Sequence, residues 1–221
     1  MKKALILGAS GGIGSALVEA LRGSGWCVTG LSRSVDGLDV TDETSVDRIL
    51  GAVDGTFDLM FVATGALEIA GQGPEKSLRE ISAQAMQAQF ALNCTGPALV
   101  LRHAARLLPR DRECRIAALS ARVGSIGDNR LGGWYSYRAA KAALNQIMHG
   151  AAIELKRTHK QSICVALHPG TVATSLTSKY ASGRKTVTPP EAAGNLLRVL
   201  DGLTPDETGL FFDWSGARVE W

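Results

Sequence analysis

The stretch Ala4-Leu5-Ile6-Leu7-Gly8-Ala9-Ser10-Gly11-Gly12-Ile13-Gly14-Ser15-Ala16-Leu17 decides the fold. Four apolar residues without polar alternation read as a strand buried on both faces. A glycine-rich loop follows, and Ser15 to Arg22 reads as a helix. Glycines in such a loop permit a tight turn. They also let backbone N–H groups approach a pyrophosphate at the positive end of the helix. A plain flexible loop is the bland alternative, and the strand-loop-helix context favours a dinucleotide site.

Outward from this unit, short apolar runs alternate with amphipathic stretches. Cys27 to Leu31 is a second strand, Leu38 to Val40 a short third, and Asp58 to Ala63 a fourth. Thr41 offers a helix N-cap, followed by Asp42 and Glu43 near the positive helix end. A long helix is expected from Ala83 to Leu108, stopped by Pro109. Arg115–Leu119 and Ile163–Leu167 are further strands, separated by a helix from about Trp134 to Lys160. Pro190 can open a helix reaching Asp201, and Leu210 to Phe212 is a last strand. The pattern implies an α/β fold: one Rossmann-like, doubly wound domain over residues 1–221. Its mostly parallel sheet of about seven strands carries helices on both faces.

Composition narrows the function classes. With 24 basic and 21 acidic residues the net charge is +3, too weak to imply nucleic acid. No apolar run approaches the ~20 residues that cross a bilayer. After Lys2 and Lys3, Gly8 ends the first apolar run too early for a signal-peptide core. Cys27, Cys94, Cys114 and Cys164 form no C-x-x-C pair, so reduced thiols and a cytoplasmic location are expected. His103, His149, His159 and His168 show no metal-ligand spacing. His168 precedes a Pro-Gly turn, which puts a cofactor contact among its options.

The spacing G-x-x-x-G-x-G, with four motifs downstream, resembles the classical short-chain dehydrogenase/reductase family. Gly132 to Tyr137 and the final Trp221 are similar to its small C-factor-like branch. The resemblance implies cofactor contacts from Gly8, Ser10, Gly12, Ile13 and Gly14. It places Asp39 and Val40 at the adenine ring, and Ala63 and Gly65 at the adenine ribose. Pro169, Gly170, Val172 and Thr174 match the turn that supports the nicotinamide. Asn93 matches a structural, proton-relay asparagine, and Tyr137-Arg138-Ala139-Ala140-Lys141 matches the catalytic Y-x-x-x-K.

The Tyr137/Lys141 pair also has its own chemical logic. Four residues apart on a helix, the two side chains share one face. A phenol with pKa ~10 is a poor acid or base at neutral pH. A neighbouring ammonium is expected to lower it toward the working range. The resemblance makes Tyr137 the proton donor to a carbonyl and has Lys141 also hold the nicotinamide ribose.

Two departures stand out. The family's Asn-Asn-Ala-Gly reads Val62-Ala63-Thr64-Gly65, which removes two amides. The position of the catalytic serine holds Ala121. Ser120 is the favoured substitute because it sits beside that position at a strand's carboxyl end. Ser125 in the next loop, or Tyr137 acting without a serine, are the alternatives.

Cofactor choice turns on Leu31-Ser32-Arg33-Ser34. No carboxylate ends the second strand, and Arg33, with the Ser32 and Ser34 hydroxyls, suits a 2′-phosphate. NADP(H) is therefore expected over NAD(H), with a small carbonyl or alcohol as substrate. A dinucleotide-binding regulatory or signalling protein is the competing class, favoured by Ala121. Residues 175–187 are the expected lid, and Lys179, Arg184 and Lys185 leave an anionic substrate open. The resemblance implies a homodimer or homotetramer pairing through the helices that carry Asn93 and Tyr137.

Overall fold

The structure, a computed structural model, describes residues 1–174, 179–180, 183 and 185–221. Six strands, β1 (Lys3–Leu7), β2 (Cys27–Leu31), β3 (Leu59–Val62), β4 (Cys114–Leu119), β5 (Ser162–His168) and β6 (Phe211–Asp213), form one sheet. Their order is β2-β1-β3-β4-β5-β6 and every pairing is parallel. Among the described residues the α-helices are α1 (Gly12–Gly23), α2 (Arg33–Asp36), α3 (Glu43–Gly51), α4 (Ala83–Phe90), α5 (Gly96–Leu101), α6 (Ala104–Leu107), α7 (Tyr135–Leu155) and α8 (Pro189–Gly202). Thr188 caps α8. Among the described residues no helix is long and apolar enough to cross a membrane.

Both faces of the sheet are buried, which explains strands without polar alternation. Leu5, Leu7, Met60, Val62 and Ile116 join Leu144 and Met148 of α7 in one core. Ala4, Ile6, Phe61, Val165 and Leu167 meet Leu17 of α1 and Leu196 of α8 in the other. Alternate residues of each strand serve opposite cores, as a period of two demands. The chain reverses direction across the sheet between β1 and β3, and their carboxyl ends open the crevice where such sheets take ligands.

Three expectations are corrected here. Leu38–Val40 is not a strand, so the sheet has six strands rather than seven. Ser32 caps the short α2, Gly37 turns the chain at φ 71°, and Asp39 Oδ1 accepts from Thr41 N at 2.9 Å. Leu38 and Val40 are apolar because they fill the α7-side core, not because they pair. Asp42, rather than Thr41, caps α3.

The stretch from Ala83 to Leu108 is not one helix. A π-turn at Ala91–Thr95 separates α4 from α5, and further turns precede α6. Pro97 has no N–H for the Asn93 carbonyl four residues earlier, and its ring crowds that carbonyl. Widening the turn relieves both problems.

Candidate active site

The sheet's carboxyl edge forms a cavity of about 580 Å³, bounded by the glycine loop, β3 to β5 and the start of α7. On one side the loop after β1 is built by backbone contacts. A Cβ on Gly14 would lie 2.1 Å from Gly8 O, and Gly8 itself has φ 86°. A Cβ on Gly12 would stand 2.8 Å from Thr174 Cγ2, so the loop also meets the Pro169–Thr174 turn. Gly11 caps α1 without a side-chain hydrogen bond, and the first turn contains no acidic residue. These features fit a pyrophosphate, since the helix end keeps donors available and adds no repelling charge. Thr64 Oγ1, buried and unpartnered, is a further polar atom on this cavity's wall.

Opposite the cradle, α7 presents Tyr137 and Lys141. Lys141 is 3% exposed and donates to Leu119 O at 2.8 Å. Its Nζ lies 5.8 Å from the Tyr137 ring centroid. Burial lowers the Lys141 pKa to about 8 and raises the Tyr137 phenol above its usual range. The expected lowering of Tyr137 by Lys141 is thus not met in this geometry. The ammonium is committed to a carbonyl, and desolvation outweighs its field.

Asn93 is fully buried beside this pair. Its Oδ1 accepts from Ala66 N at 3.2 Å, while Nδ2 donates to Ala66 O and Gln89 Oε1. A Cβ on Gly65 would meet Asn93 Oδ1 at 2.8 Å and Lys141 Nζ at 3.3 Å. Asn93 therefore holds the loop after β3 against Lys141, at the π-turn produced by Pro97.

Gly12, Ile13, Gly14, Ala63, Gly65, Ser120, Tyr137, Lys141, Pro169, Gly170, Val172 and Thr174 line the cavity. Gly8 shapes the loop from beneath, and Ser10 is exposed on its rim. Arg33 is exposed; its carbonyl accepts from Gly37 N, and its guanidinium makes no hydrogen bond or ion pair among the described residues. Ser32, Asp39 and Val40 make contacts within the chain. Ser32 is buried, and its hydroxyl accepts from Val35 N. Asp39 closes the turn to Thr41, and Val40 packs beneath Gly96.

Ser120 lines the cavity, but its hydroxyl donates to Asn145 Oδ1 at 2.6 Å. A hydroxyl has one proton, so that donor is spent. Ser125 accepts from Asp128 N, a turn-forming role, and does not line the cavity.

Several contributors escaped the sequence reading. Buried Glu75 accepts from Ser136 N at 3.1 Å and from Ser136 Oγ, while its carbonyl accepts from Trp134 N. It ties down the start of α7 from 61 residues away. Trp134 adopts the left-handed conformation at φ 55° and packs edge-on to Tyr137 and Tyr180. A non-glycine residue with positive φ was the clue available only in three dimensions. Tyr180 donates to Glu68, which also pairs with Lys179. Of the expected lid, residues 175–178, 181, 182 and 184 lie outside the described residues, Arg184 among them.

Residues 2–185 match the family model for short chain dehydrogenase. The chain is 31% identical over 189 residues to 1-hydroxy-2-glutathionyl-2-methyl-3-butene dehydrogenase of Rhodococcus sp. (strain AD45), covering 84% of this chain and 79% of that one. It is 35% identical to C-signal of Myxococcus xanthus over 66% of this chain and 84% of the relative. A Burkholderia multivorans structure named for a short-chain dehydrogenase/reductase with bound NADP superimposes with TM-score 0.85 at 27% identity, over 100% and 99% of the two chains. NADPH-bound carbonyl reductase from chicken fatty liver shares the fold at TM-score 0.84 and 22% identity, over 100% and 99%. With the family's model matched over most of its length, this chain belongs to the short-chain dehydrogenase family, a family of oxidoreductases.

Proposed function

We propose that the chain is an NADP(H)-dependent oxidoreductase moving a hydride between the nicotinamide and a carbonyl or secondary alcohol. The observation that carries this reading is a single cavity walled by the glycine cradle, Tyr137 and Lys141. Backbone amides at the start of α1 hold the pyrophosphate. The exposed Arg33 guanidinium takes the 2′-phosphate, and Lys141 holds the nicotinamide ribose. The NADP and NADPH named for two structural neighbours agree with that choice.

The glycine loop, Arg33 and Lys141 would hold NADPH, which would supply the hydride for the carbonyl carbon and be oxidised to NADP⁺. Tyr137 gives its proton to the carbonyl oxygen as the carbon–oxygen π bond breaks, so the product is an alcohol. The resulting phenolate recovers its proton from solvent. Burial keeps the phenol protonated at neutral pH and makes it a weaker acid than a free phenol, so its proton moves only as the hydride turns the carbonyl oxygen into a more basic alkoxide. Lys141 holds positive charge beside it below about pH 8 and loses it as pH rises further.

Fluorescence titration with NADPH and NADH, then a panel of aldehydes and ketones, tests the proposal. Tyr137→Phe should leave NADPH affinity nearly unchanged and cut turnover by about 10²–10⁴-fold. A Phe variant with most of its activity intact refutes the assignment.

Ala121 and the spent proton of Ser120 favour a second reading, a dinucleotide-binding regulator with little catalysis. The similarity to C-signal agrees with it. NADPH binding without turnover of any panel member would select this reading.

A further inference from the structure

The reaction proposed above builds negative charge on a carbonyl oxygen, and a preorganised donor there typically changes the rate by about 10²–10³-fold. Ala121 brings no hydroxyl, Ser120 gives its proton to Asn145, and Ser125 lies outside the cavity. Another donor must be sought on the same wall.

The neighbouring strand offers one. Ser120 N donates to Leu167 O, which places the next residue, His168, beside Ser120 at the sheet's carboxyl edge. Along β5, Cys164 and Ala166 face the core shared with α7, whereas Ile163, Val165 and Leu167 face the opposite core. His168 continues the first set, on the face that carries Tyr137 and Lys141. His168 lines the cavity, and its Nδ1 is buried with no hydrogen-bond partner among the described residues.

We infer that His168, through Nε2–H, donates the hydrogen bond to the substrate oxygen that the missing serine would have supplied. This assignment rests on the reductase reading.

The tautomer follows from the cost of orphaned groups. A buried N–H without an acceptor is rarer than an under-satisfied acceptor, so the proton belongs on Nε2 and Nδ1 is left as the bare acceptor. Burial lowers the ring's pKa to about 4; Asp213 opposes the shift and Arg122 adds to it. Those two are the charged groups acting on the ring. The imidazole is therefore neutral at pH 7, with one proton and, among the described residues, no hydrogen-bond partner competing for it. It keeps that proton throughout: the hydride goes to carbon, Tyr137's proton goes to oxygen, and His168 only binds the oxygen.

Two isosteric replacements separate the ring's nitrogens. In His168→Gln the amide nitrogen reaches the place of Nε2, and in His168→Asn it reaches only the place of Nδ1. Single-turnover oxidation of NADPH is measured for both with a ketone that the unmutated chain reduces, alongside NADPH affinity. Expected is a loss of about 10²–10³-fold in kcat for Asn, a loss within about tenfold for Gln, and NADPH affinity unchanged in both. Equal losses, no loss in either, or a loss confined to NADPH affinity overturns the assignment while the reductase reading stands. If the unmutated chain binds NADPH but reduces no aldehyde or ketone, the reductase reading itself fails and the role of His168 falls with it.

Discussion

Lys141 allows a quantitative test of how dry the site is. Burial takes its pKa from 10.5 to about 8, a difference of about 2.5 units at ~1.4 kcal/mol each. The folded, charged form thus carries a cost of ~3 kcal/mol. Below pH 8 the lysine is protonated in both folded and unfolded chains, so the whole cost is present. Between pH 8 and 10.5 the folded chain releases its proton first. The unfolded chain then binds more protons, and stability rises with pH. From pH 7 to 9.5 the gain is about 2 kcal/mol, a factor of ~30 in the folding equilibrium. Lys141→Met has no proton to release and lacks this rise. At pH 7 the variant sheds the ~3 kcal/mol but strands Leu119 O, at a cost of ~1–3 kcal/mol. It should then match or slightly exceed the parent in stability while losing its activity. Urea unfolding of both chains at pH 7, 8, 9 and 9.5, compared as differences, cancels the groups they share. A constant difference across that range would refute the desolvation of Lys141.

Two further substitutions probe the cradle's far end and the support of α7. Arg33→Asp should weaken NADPH binding by about ten- to a hundredfold, the worth of a charged hydrogen bond, without weakening NADH; equal affinities of the unmutated chain for both cofactors would remove the basis for that role. Glu75→Ala leaves the Ser136 donors buried without a partner and should cost ~1–3 kcal/mol in urea unfolding, with Glu75→Gln recovering part because its carbonyl still accepts. Unchanged stability in the Ala variant would show that α7 does not depend on this tie.

The strands and the glycine loop were legible because their causes are local. Leu5 and Ile6 are apolar since both faces of β1 are covered, and Gly14 is glycine since a Cβ would collide with Gly8 O. Each cause operates within a few residues of its effect. Leu38–Val40 misled for a related reason: alternating burial looks the same in one dimension whether a segment pairs in a sheet or lies on a core. Only the cap on Ser32 and the turn at Asp39, both of which compete with strand pairing, separate the two. The break in the 83–108 stretch was signalled by Pro97, whose missing N–H predicts trouble at Asn93 once its effect is traced four residues back.

The substrate side of the cavity was illegible for the opposite reason. Glu75 meets Ser136 across 61 residues, Ser120 meets Asn145 across 25, and His168 joins them only through strand register. No motif spacing encodes such meetings. They also decide what the motif residues can do. Ser120 stood beside the right position in sequence, yet its proton turns toward α7 because Asn145 lies one helical turn beyond Lys141. The bond that fixes Ser120 also ties β4 to α7, so the hydroxyl's proton goes to the frame. A site that uses its serine this way must find its donor on the next strand or do without one. The imidazole of His168, without a hydrogen-bond partner among the described residues, is the group we infer to supply it.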